Sequence, residues 1–103
     1  MTLNELITSV KEKNLSKEQL EHYADELSSL FSQMQMEMAD LEKSEALFLE
    51  HEQNAEDKPS VAQSKINWRA TKEGQRLIVL KRYTLATKEM LNSLKSRTYR
   101  LIY

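Results

Sequence analysis

Four basic residues, Lys65, Arg69, Lys72 and Arg76, follow one another at intervals of four, three and four. On a helix that spacing makes one cationic stripe. Such a stripe neutralises phosphate, and Trp68 and Tyr83 are near in sequence to stack on bases. The same residues have a plainer reading, in which the stripe faces acids of the same chain and Trp68 is core. The formal net charge of −1 is not the basic excess of a dedicated DNA binder, so pairing within the chain is the preferred expectation.

A second charged group is acidic: Glu37, Asp40, Glu42 and Glu45, continued by Glu50, Glu52, Glu56 and Asp57. A row of carboxylates can occupy a partner's basic groove in place of phosphates. The preferred reading is again plainer, a solvated face matched by the basic segment. His22 has Glu18 and Glu26 four residues to either side, and His51 lies between Glu50 and Glu52. Carboxylate-bridged metal sites in bundles need Glu and His three apart on several helices, so both histidines read as surface residues and no metal is expected. No serine sits in a nucleophile elbow and no Gly-rich phosphate loop occurs. Hence no catalytic residue, cofactor or small-molecule substrate is expected, and the chain does not read as an enzyme. Met34 and Met38 suit a core, with Met36 on the opposite side of the helix.

The elements that must carry these groups are helices. Gly and Pro occur once each in 103 residues, which leaves little material for turns and strands. There is no cysteine, so neither a disulfide nor a thiolate site can form. The longest apolar run, Leu77 to Leu80, is far short of a membrane span, and the N-terminus has no signal-peptide pattern, so a cytoplasmic protein is expected.

Three capping boxes mark three helix starts: Thr2 with Glu5, Ser16 with Gln19, and Ser60 with Gln63. The first predicted helix covers 3–13, with Leu3, Leu6, Ile7 and Val10 on one stripe and Asn14 as a left-handed cap. The second covers 17–52; Leu20, Leu27, Met34, Leu41 and Phe48 recur every seven residues. A polar loop, 53–60, holds the lone Pro. The third covers 60–101, with a seam of Leu77, Leu80, Thr84, Thr87, Leu91, Leu94, Thr98 and Leu101. Gly74, with Thr71 as a cap before it, marks a candidate kink at 70–74.

The whole reads as a single all-α domain over 1–103, a long antiparallel helical hairpin behind a short N-terminal helix. Residues 1–57 carry four lysines against fourteen acids, and residues 58–103 carry eleven basic residues against two acids. An acidic helix beside a basic one would fix register through flanking residues such as Lys81, Lys88 and Lys95. The third helix has a second apolar face at Trp68, Val79, Tyr83 and Met90, which predicts a homodimer with a four-helix core.

The stretches "NWRATKEGQRLIVLKRY" (67–83) and "LNSLKSRTYRLIY" (91–103) resemble small helical proteins of tailed bacteriophages and prophages. Those carry Trp-[Lys/Arg]-Ala-Thr, then Glu-Gly-Gln-Arg-Leu-Ile, and a closing Leu-Lys-Ser-Arg. A looser match covers 24–48. The resemblance implies a phage origin and an accessory role in DNA replication or recombination, and it carries over no catalytic residue. Three functional expectations follow. The leading one is a non-enzymatic accessory protein meeting phosphate or an acidic protein through Lys65, Arg69, Lys72 and Arg76. The second is an inhibitor docking on a host protein through Glu37, Asp40, Glu42 and Glu45. The third is an oligomerising virion or assembly component.

Overall fold

The structure, a computed structural model, describes residues 2–11 and 15–102, with the backbone alone described over 99–102. The described residues form four helices, α1 (Leu3–Val10), α2 (Lys17–Gln53), α3 (Val61–Ala70) and α4 (Lys72–Ile102), and no strand. The expected all-α hairpin is the observed architecture. Leucines of α2 pack with Leu94 of α4.

The three capping boxes open α1, α2 and α3. Thr2 Oγ1 accepts from the Glu5 amide at 3.2 Å, and Ser60 Oγ from the Gln63 amide at 3.1 Å. At Ser16 the exchange is reciprocal: the Gln19 amide donates to Ser16 Oγ at 3.2 Å, and the Ser16 amide to Gln19 Oε1 at 2.8 Å. Each cap contributes about 1 kcal/mol. Helix α1 ends at Val10, short of the expected 13, while residues 12–14, with the expected Asn14 cap, lie outside the described ones. The Arg97 guanidinium donates to the Val10 carbonyl, placing a cation at the negative end of α1.

The single domain expected over 1–103 is organised as two compact units, and α2 and α4 contribute to both. The first comprises 1–34 and 83–103. Its core is Leu6, Val10, Leu15, Leu20, Leu27 and Leu94, with Tyr23, Leu30, Met90 and Leu91 packed around it. Each buried leucine stabilises by about 2 kcal/mol relative to exposure. The seam threonine Thr87 is fully buried, and its hydroxyl donates to the Tyr83 carbonyl at 2.7 Å. The hydroxyl is satisfied inside its own helix, so a polar residue sits in the seam without an orphaned donor.

The second unit is Gln35–Arg82. Trp68 of α3 and Leu77 and Leu80 of α4 are buried in it. The Trp68 and Phe48 rings meet at 5.6 Å and 55°, a tilted aromatic pair. Gln53 Nε2 donates to the Pro59 carbonyl at 3.0 Å and to the buried Ser64 hydroxyl at 3.1 Å. One amide thereby ties the loop at 54–60 to both flanking helices.

The third helix expected over 60–101 is two helices, separated at Thr71. This residue is extended, with φ −75° and ψ 162°. Its hydroxyl donates to the Trp68 carbonyl at 2.6 Å and accepts from the Gly74 amide at 3.0 Å. It therefore closes α3 and caps α4 at once, using both capacities of a hydroxyl. The side chain of Gln75 also donates back to the Arg69 carbonyl. With both helix ends satisfied by neighbouring side chains, the bend leaves fewer backbone groups to solvent.

Candidate interaction surfaces

The break divides the expected cationic stripe. Lys65 and Arg69 lie on α3, Lys72 and Arg76 on α4, and all four are exposed. Arg76 is matched by Glu37, with Nε to Oε2 at 2.9 Å and Nη2 to Oε1 at 3.4 Å. Both side chains are about half exposed, 51% and 45%, so the pair is worth about 0–1 kcal/mol. Among the described residues, Lys65, Arg69 and Lys72 make no ion pair, nor do Lys81, Lys88 and Lys95. The preferred expectation, a stripe matched by acids of the second helix, holds at Arg76 and not at its three companions.

The bend creates a concavity that the sequence did not reveal. Lys65, Arg69 and Lys81 surround a space of about 200 Å³ in the second unit, walled by Trp68, Gly74, Leu77 and Ile78. Glu45 of α2 also lines it; this half-buried carboxylate makes no ion pair among the described residues. Lys81 belongs to no spacing shared with Lys65 and Arg69 on a continuous helix. Only the turn at Thr71 brings it to them.

The acidic row is also divided. Glu37 is engaged with Arg76, and Glu45 faces the concavity. Asp40 and Glu42 remain exposed without an ion pair among the described residues. Further along α2, Glu52 accepts from Asn67 Nδ2 at 3.2 Å.

The residues expected at an oligomer interface have different fates. Trp68 is only 5% exposed, committed to its own unit, because the bend folds α3 onto Phe48. That burial also removes it as a stacking platform for bases. Val79 is half-buried, and Met90 is half-buried against the core of the first unit. Tyr83 is 44% exposed. In the first unit, Ala24, Ser28, Leu91 and Thr98 line an open groove of about 560 Å³.

Among the described residues, no three His, Asp or Glu side chains gather in a way that could hold a metal ion, and no helix is long and apolar enough to cross a membrane. His22 packs its ring 5.6 Å from that of Tyr23, and His51 is exposed. The fold is an all-α helical hairpin, and in its second unit cations and carboxylates share one surface, as Arg76 with Glu37 and Lys65, Arg69 and Lys81 with Glu45. Comparison with family models, curated proteins and solved structures gives no match.

Proposed function

We propose that this is a non-enzymatic accessory protein of the tailed-phage type, acting in the host cytoplasm by binding nucleic acid through the cationic face of its second unit. The supporting observation is that Lys65, Arg69 and Lys72 are exposed and unmatched by acids among the described residues. Cations left unmatched inside the chain stay available to phosphate, and releasing the phosphate's counterions drives association. Trp68 is buried, so this face makes phosphate contacts rather than base stacking. Phosphate contacts position a strand without reading it, and binding through them is indifferent to sequence. A mobility shift with short DNA at about 50 mM salt tests the proposal. Reversing Arg69 should abolish the shift, while no shift with the unaltered protein removes the reading.

A second reading, inhibition of a host protein through α2, draws on Asp40 and Glu42, which are exposed and unpaired among the described residues. Capture of one host protein, lost on reversing these two carboxylates and insensitive to nuclease, would favour it. Homodimerisation belongs with either reading; Tyr83, 44% exposed, is the residue of the expected interface that remains accessible to support it. Sedimentation across concentrations, with Tyr83→Ser as control, reads the oligomeric state.

A further inference from the structure

We propose that the concavity bounded by Lys65, Arg69 and Lys81 is the seat for one phosphate group of a bound nucleic-acid strand; this deepens the nucleic-acid reading and rests on it. Three cations and one carboxylate line the space, an excess of two positive charges. Concave walls of low dielectric focus such a field. Arg69 offers a planar fork suited to two phosphate oxygens, while Lys65 and Lys81 act as mobile point charges. The volume of about 200 Å³ is below the roughly 300–1,000 Å³ of small-molecule pockets, and it suits a phosphate with some of its water. Trp68 is part of the wall and, at 5% exposure, offers too little ring for a base to stack on, so the bases stay outside.

The bend builds this seat. In an unbroken helix Lys65 and Lys81 would stand roughly 24 Å apart along the axis. Instead the turn at Thr71 lets both line one space. Glu45 is the resident like charge for an incoming phosphate. It reduces the field at the seat, so its removal should strengthen anion binding, opposite to the effect of removing a cation.

The opposed signs make the test. Trp68 is the only tryptophan and lines the seat, so its emission reports occupancy. The full chain is titrated at constant ionic strength with inorganic phosphate and, separately, with a short single-stranded oligonucleotide. Expected is a saturable change with both probes. Glu45→Gln tightens binding about two- to fivefold, Arg69→Gln weakens it by a similar factor, and Lys72→Gln, outside the seat, has less effect than Arg69→Gln. Helicity of each variant is checked by circular dichroism. Oligonucleotide binding that ignores Glu45 and Arg69, or falls equally with Lys72→Gln, overturns the seat while leaving the broader reading. Phosphate binding with the opposed signs but no oligonucleotide binding keeps an anion seat and overturns its assignment to nucleic acid. Silence with both probes overturns both.

Discussion

A Cβ placed on Gly74 would stand 2.0 Å from the carbonyl oxygen of Trp68 and 2.9 Å from the Cα of Arg69. Gly74 does not adopt a positive φ, so conformational freedom is not why glycine is needed. Space is the reason: the start of α4 lies against the last turn of α3, and the obstructing atoms are backbone.

Gly74→Ala reverses the usual rule. In an ordinary helix interior this change stabilises by about 1 kcal/mol. Here the backbone of α3 must move, and a net loss of about 2 kcal/mol is expected, comparable to overpacking a core. Urea unfolding measures it; a variant more stable than the parent would show that α3 and α4 do not meet this way.

Thr71 separates capping from shape. Thr71→Ala and Thr71→Val remove both the bond to the Trp68 carbonyl and the cap on the Gly74 amide, at a cost of about 1–2 kcal/mol. Thr71→Ser keeps the hydroxyl and should stay within a few tenths of a kcal/mol of the parent. Thermal unfolding of the three variants together checks this. Equal losses for Ser and Val would contradict the dual cap.

Gln53→Leu tests the tie across the loop. The buried Ser64 hydroxyl and the Pro59 carbonyl lose their shared donor. A destabilisation of about 1–3 kcal/mol is expected, as for a buried group left without its partner. Faster proteolysis within 54–60 should accompany it.

Leu94→Ala and Leu47→Ala differ by environment alone. Leu94 is fully buried in the first unit and should cost about 2–5 kcal/mol. Leu47 is 66% exposed and should change stability by about 0.5 kcal/mol or less. Similar losses at both positions would place α2 in a different rotational setting.

Much of the scaffold was legible because its signals are local. Ser16 and Gln19 are three residues apart, and the reciprocal cap they form needs nothing beyond their own turn. Leu20 and Leu27 are one heptad apart, and both are buried. The bend was legible only in part. Thr71 and Gly74 advertised a kink, but the tight approach of Gly74 to Trp68 depends on three-dimensional packing. The surfaces were the least legible. Spacing grouped Lys72 and Arg76 with Lys65, whereas the turn groups Lys81 with it. Likewise Glu37 and Glu45 read as one acidic row, yet one meets Arg76 and the other lines the concavity. Trp68 has three readings in the sequence, as core, as part of a second apolar face and as a stacking platform; it is core, and the Phe48 ring it meets is twenty residues distant in sequence.

The most direct measurement is fluorescence anisotropy of a labelled short oligonucleotide titrated with the protein across a salt series from about 50 to 200 mM. One phosphate in the seat and one or two more at Lys72 and Arg76 should make log affinity fall against log salt with a slope of roughly −1.5 to −2 for a single strand. Arg69→Glu should abolish binding, and Arg76→Glu, whose parent residue is already engaged by Glu37, should weaken it less. Absence of binding at the lowest salt, or an affinity that salt leaves unchanged, would contradict a cationic face that works on phosphate.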